Sequence, residues 1–186
     1  ADQPRRAVDA RKDAVIRHLP NLISALRLLA APFAAWLILE GHDIAALLIF
    51  AAAGASDGLD GFIARRWGVT SASGAWLDPI ADKLLMLFCF TALYCVGATP
   101  LWLLVLVVAR DLAIVLGWLL IRQLSLPAPT SPLLIGKLST VVQILYIFTL
   151  LLLLSFDVHA PRLALAAAWG CGLFVVLSAA AYAGIF

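Results

Sequence analysis

Apolar residues fill six long blocks of the chain, residues 22–39, 44–64, 78–96, 101–121, 133–155 and 163–185, separated by short polar or proline-bearing connections. Each block is close to the roughly 20 residues an α-helix needs to span bilayer hydrocarbon. The pattern therefore predicts six transmembrane helices. Residues 1–20 are polar and basic (Arg5, Arg6, Arg11, Lys12, Arg17), yet Val8, Val15, Ile16 and Leu19 recur at helical spacing. That combination predicts a short amphipathic helix lying in the membrane interface. The expected fold is an all-α integral membrane protein, with an amphipathic segment at 1–20 and one six-helix domain at 21–186. A cleaved signal peptide is not expected, because the first apolar block is longer than a usual signal core and no small-residue cleavage site follows it.

Composition strengthens this picture. Of 186 residues, 64% are hydrophobic and 13% charged, and the mean hydropathy is +1.04, against an apolar share of about 45–50% in soluble domains. A soluble fold is excluded. A formal charge of +2 is too small for a nucleic-acid binder, so the placement of charge matters more than its sum. Lys and Arg fall in the N-terminal segment, the second connection (Arg65, Arg66) and the fourth (Arg122, Lys137), while the first and third connections carry none. By the positive-inside rule both termini are cytoplasmic, with Arg162 the one exception. Pro127, Pro129 and Pro132 stiffen the fourth connection. Cys89, Cys95 and Cys171 all lie in apolar blocks without metal-site spacing and are expected to be packing residues.

Several charges interrupt these blocks: Arg27, Asp57, Asp60, Arg65, Asp78, Asp82, Lys83, Arg110 and Asp111. Each costs about 2.5–3.5 kcal/mol on insertion scales and so needs a partner or a task. For Lys83, Arg110 and Asp111 pairing between helices is an adequate reason. The aspartates are different. Asp57 and Asp60 are three apart and Asp78 and Asp82 four apart, so each pair shares one helix face. Asp57 lies about 20 Å along its helix from Ile44, and Asp78 opens the next helix from the same side of the membrane. Four carboxylates within about 6 Å repel by roughly 3 kcal/mol per pair at an effective dielectric of 20, so cations must accompany them. An oxygen-only donor set favours Mg²⁺, Mn²⁺ or Ca²⁺ over zinc. Two such ions balance four charges and leave positions for phosphate oxygens. Gly54, Gly58, Gly61 and Ala64 form a small-residue stripe on the same helix, which suits close helix packing and also leaves room for a nucleotide.

Read as one string, residues 57–82 are DGLDGFIARRWGVTSASGAWLDPIAD. The string resembles the signature of the CDP-alcohol phosphatidyltransferase family at all of its fixed positions: Asp57, Asp60, Gly61, Ala64, Arg65, Gly74, Asp78 and Asp82. The resemblance implies a six-helix membrane fold, usually a homodimer, with an amphipathic helix on the cytoplasmic face of what is expected to be a bacterial inner membrane. It implies that an acceptor hydroxyl attacks the lipid-bearing phosphorus of a CDP-linked substrate and that CMP leaves. By motif position, Asp57, Asp60, Asp78 and Asp82 hold two divalent cations, Mg²⁺ or Mn²⁺, and Asp82 is also the general base. Gly61 and Arg65 contact the cytidine diphosphate, Ser71 and Gly74 line its pocket, and Ala64 gives clearance.

The likeness extends to about residues 20–145. Residues 20–27, PNLISALR, resemble the opening of the first helix in the branch that makes phosphatidylglycerol phosphate and cardiolipin, where Asn21 through Ser24 touch the head of CDP-diacylglycerol with Arg27 nearby. Arg110–Asp111 and residues 135–143, IGKLSTVVQ, resemble the same branch. Relatives that use glycerol 3-phosphate carry a second arginine about two turns after the Arg–acid pair. Here no basic residue follows Arg110 until Arg122. Phosphatidylglycerol is therefore the expected acceptor, its phosphodiester held by Arg27, Arg110 and Lys137, and glycerol 3-phosphate is the alternative. A proton or ion transporter is the competing class, but carboxylates at one depth form a cluster rather than a path.

Overall fold

The computed structural model describes the backbone of residues 25–67, 74–124 and 134–184, and their side chains apart from residues 57–79. Six α-helices make up the described chain: α1 (Ala25–Leu39), α2 (Asp43–Trp67), α3 (Gly74–Cys95), α4 (Leu101–Gln123), α5 (Leu134–Ser155) and α6 (Pro161–Ala183). Each helix falls on one of the six apolar blocks. The expected amphipathic helix at 1–20 and the proline-bearing loop at 127–132 lie outside the described residues. Among the described residues α4, α5 and α6 are long and apolar enough to cross a membrane, and α1 and the stretch Asp43–Ser56 are shorter apolar helices. The 25 residues of α2 extend about 37 Å at 1.5 Å per residue. Many large apolar side chains, among them Leu29, Leu48, Leu116, Leu134 and Trp169, are exposed on the outside of the bundle. That is the surface expected when the solvent is lipid rather than water.

Three tight reversals share one design. At the end of α1 the N–H of His42 donates to Leu37 O and that of Gly41 to Ile38 O. At the end of α3 the N–H of Ala98 donates to Leu93 O and that of Gly97 to Tyr94 O. Val158 to Leu153 O and Asp157 to Leu154 O repeat the pattern after α5. This six-to-one plus five-to-two closure satisfies the last carbonyls of a helix and requires a left-handed residue at its centre. Gly41 and Gly97 supply it at φ +74° and +77°, and Asp157 adopts it at φ 51°, a conformation Asp tolerates better than most side chains. Proline then restarts the chain, Pro100 as the cap of α4 and Pro161 in the first turn of α6, where a missing N–H costs nothing.

The helices form an up-and-down bundle in which α5 packs on α2, α3 and α6, and α4 packs on α3 and α6. Ala31, Ala34, Ala35 and Ile38 of α1 join Ala46, Phe50 and Ala53 of α2 in one buried core with residues of α3 to α6. Two buried glycines mark close approaches. A Cβ on Gly172 would lie 2.7 Å from Cζ3 of Trp102, and one on Gly136 would lie 2.8 Å from the Tyr182 hydroxyl. Phe90 stacks on Tyr146 with ring centroids 5.7 Å apart, and the Tyr146 and Thr99 hydroxyls meet at 3.3 Å. Cys89 and Cys171 are buried packing residues as expected, whereas Cys95, in the last turn of α3, is exposed.

Candidate active site

The end of the bundle away from the three reversals carries the C-terminal half of α2, the first turns of α3 and α5, and the last turns of α4 and α6. α2 runs unbroken through Asp57, Asp60, Gly61, Ala64 and Arg65 to Trp67, three residues past the apolar block, because Ala64, Arg65 and Arg66 are good helix formers even where hydrophobicity ends. α3 begins at Gly74, four residues before the predicted start, so that Gly74, Asp78 and Asp82 belong to one helix. The side chains of Asp57, Asp60, Ala64, Arg65 and Asp78 lie outside the described residues, as do Asn21, Ser24 and Ser71 altogether. Asp82 is half-buried on α3. Among the described residues no group of three carboxylate, imidazole or thiol side chains gathers as a metal site.

The cations expected to meet the acceptor occupy the same end in different states. Arg27 on α1 is buried, and Lys137 in the first turn of α5 is exposed. Arg110 on α4 is only 5% exposed and is held from three sides. Its Nη1 donates to Oδ1 of Asp111 at 2.6 Å. Nε and Nη2 donate to the Ser178 hydroxyl on α6 at 3.2 and 2.7 Å, and Nη2 also reaches the carbonyl of Gly136 on α5 at 3.4 Å. Arg110 thus sits against the residue that precedes Lys137, so the structure brings two of the three expected cations to neighbouring positions. Lys83 of α3 closes the chain, its Nζ donating to both carboxylate oxygens of Asp111 at 2.9 Å. α3, α4, α5 and α6 are tied together by this one charged network. Pairing between helices, the plainer sequence reading of Lys83, Arg110 and Asp111, is what the structure contains.

Ser178 and the Gly136 carbonyl were not foreseeable as partners of Arg110. A serine in an apolar helix is common, and nothing in its neighbours marks Ser178. Gln143 is a further buried polar group, donating from Nε2 to the Ser139 hydroxyl at 3.3 Å inside α5. Below the Lys83–Asp111 pair a cavity of about 230 Å³ runs between α3 and α4 along Met86, Leu87, Phe90, Val107 and Val115. A second cavity of about 440 Å³ lies at the opposite end between the α3–α4 and α5–α6 reversals and is lined mainly by apolar residues.

Comparison with known proteins bears on this end of the bundle. A family model described as CDP-alcohol phosphatidyltransferase matches residues 17–177. A protein of Rattus norvegicus named cardiolipin synthase (CMP-forming) is 34% identical over 178 residues, covering 87% of this chain and 59% of its own length. One of the same name from Streptomyces coelicolor is 38% identical over 141 residues, covering 73% of this chain and 65% of its own. A probable phosphatidylglycerophosphate synthase of Mycobacterium tuberculosis is 36% identical over 160 residues, covering 82% and 75%. The matches thus span about three fifths of the two synthases' own lengths and three quarters of the mycobacterial protein.

Proposed function

The chain belongs to the CDP-alcohol phosphatidyltransferase family, and from that premise we propose that it moves the phosphatidyl group of CDP-diacylglycerol onto phosphatidylglycerol, giving cardiolipin and CMP. The observation that carries the reading is the complete 57–82 motif lying within the family match, on two helices of one bundle end. Asp57, Asp60, Asp78 and Asp82 hold two divalent cations in this reading. The donor set fits such ions: four carboxylates, with the thiols of Cys89 and Cys171 buried in the core. When bound, Mg²⁺ or Mn²⁺ supplies neutralisation of the diphosphate charge.

The chain's own groups do the rest. Arg65 donates to the phosphates while Gly61, Ala64, Ser71 and Gly74 leave room for the cytidine, and Asn21 and Ser24 touch the lipid-bearing head. Asp82 accepts the proton of the acceptor hydroxyl as its oxygen bonds to phosphorus, and the bond to CMP breaks with its electron pair leaving on CMP. Arg27, Arg110 and Lys137 supply positive charge to the acceptor's phosphodiester, Arg110 through its field because its own donors are taken up by Asp111, Ser178 and the Gly136 carbonyl. Arg122, in the last turn of α4, lies over the ring of Trp118 on its own helix, 5.6 Å from the centroid. That position favours phosphatidylglycerol, with one phosphate charge, over a dianion that needs more fixed cations.

Phosphatidylglycerol phosphate synthesis from glycerol 3-phosphate is the second reading, favoured by the mycobacterial likeness over 82% of this chain. In either case all six helices cross the membrane, the N-terminal segment lies on the cytoplasmic surface with the active site, and the protein acts as a homodimer in a bacterial inner membrane. Turnover is expected to need a divalent cation, and Asp82→Asn is expected to lower kcat by about 10²- to 10⁴-fold with the fold intact. CMP release from CDP-diacylglycerol, measured beside circular dichroism, tests this. More than about 10% residual activity in that variant contradicts the base assignment.

A further inference from the structure

Lys83 follows Asp82 directly on α3, so a mobile ammonium group sits one residue from the proposed base and cation ligand. A lysine stem is long and flexible, and an ammonium that settled on Asp82 would occupy the carboxylate oxygens that the metal and the acceptor proton both need. The structure holds it elsewhere. Its Nζ is shared between both oxygens of Asp111 at 2.9 Å, and Asp111 is itself held by Arg110 at 2.6 Å. Arg110 is anchored in turn by the fully buried Ser178 and by the Gly136 carbonyl. On the face of α3 that Lys83 occupies, the residues one turn away are Pro79, Ile80, Met86 and Leu87, none of them acidic.

We propose that Asp111 is a positioning residue that keeps the Lys83 ammonium off Asp82, so that the Asp82 carboxylate stays open to the metal and to the acceptor hydroxyl. The proposal rests on the role given to Asp82 above. Asp111→Asn is the informative variant, because it keeps an oxygen for Arg110 and removes only the charge that holds Lys83. It is expected to weaken binding of Mn²⁺ alone, without lipid substrates, by at least about tenfold, the range seen when groups that orient metal ligands are lost. The same variant is expected to lower kcat with little change in the KM for CDP-diacylglycerol. Adding Lys83→Met is expected to recover Mn²⁺ affinity to within about threefold of the native protein, since the competing ammonium is then gone.

Free Mn²⁺ measured by electron paramagnetic resonance during titration of the full chain in detergent reads this directly. Native Mn²⁺ affinity in Asp111→Asn, or a double variant no better than the single one, overturns the positioning role. A pair that served stability alone predicts lowered melting temperatures in both variants and unchanged Mn²⁺ affinity, which also overturns it. Asp82→Asn titrated in parallel separates the two levels. If that variant binds Mn²⁺ like the native protein, the assignment of Asp82 fails as well.

Discussion

Arg65 and Arg66 are adjacent on α2, have the same chemistry and stand in the same turn, yet they are assigned different work. Neighbouring helical residues diverge by about 100°, so only one of them can share the face of Asp57, Asp60 and Gly61. Arg65 holds the motif position, while the role expected of Arg66 is a positive charge that fixes orientation in the membrane. Arg65→Ala is expected to raise the KM for CDP-diacylglycerol and lower kcat by about tenfold or more, the cost of roughly 1.5–3 kcal/mol for a hydrogen bond to a charged group. Arg66→Ala is expected to change both by less than about twofold, in line with a surface substitution. Steady-state kinetics of the two variants check this, and equal losses would remove the distinction. Arg110 shows how a buried charge is tolerated inside the bundle. With Asp111, Ser178 and the Gly136 carbonyl around it, its donors are satisfied, and removing one partner of such a group typically costs 3–5 kcal/mol.

At the scale of the helix, close packing is set by where side chains are missing. Gly170 and Gly172 stand two apart on α6, but Gly172 is pressed against Trp102 while nothing lies within 4 Å of a Cβ on Gly170. Gly172→Ala is expected to destabilise by about 1–3 kcal/mol through overpacking, and Gly170→Ala to be neutral or stabilising by up to about 1 kcal/mol. Thermal unfolding in detergent distinguishes them. The helices themselves were legible in the sequence, since blocks of this length leave no other element. Their ends shifted where helix formers such as Ala64 to Arg66 continued past the apolar run, and where Pro161 set the start of α6 two residues early. Rotation was not legible. α6 is apolar nearly all round, so no stripe says which face is inward, and Ser178 meets Arg110 across 68 residues of chain. The paired aspartates were readable because charge in an apolar helix is conspicuous, whereas Lys83 with Asp111 required the packing of α3 on α4 to be known.

The whole molecule divides its labour between two ends. One is closed by three reversals built on left-handed residues and carries Gly41, Gly97 and Asp157. The other gathers the motif-bearing stretches of α2 and α3, the Arg110 network and Lys137. Lys and Arg concentrate at this second end, in Arg65, Arg66, Arg122 and Lys137, the distribution expected of a cytoplasmic side under the positive-inside rule. A CDP-linked lipid and a second lipid can both enter such a site sideways from the bilayer, while a soluble product leaves on the aqueous side. The proposed reaction is phosphatidyl transfer from CDP-diacylglycerol to a lipid acceptor. Its most direct test is the mass of the lipid product when purified protein with Mg²⁺ or Mn²⁺ receives CDP-diacylglycerol together with phosphatidylglycerol and glycerol 3-phosphate. The expected result is cardiolipin with an equal amount of CMP. Phosphatidylglycerol phosphate as the dominant product would contradict the choice of acceptor, and intact CDP-diacylglycerol with no CMP would contradict phosphatidyl transfer itself.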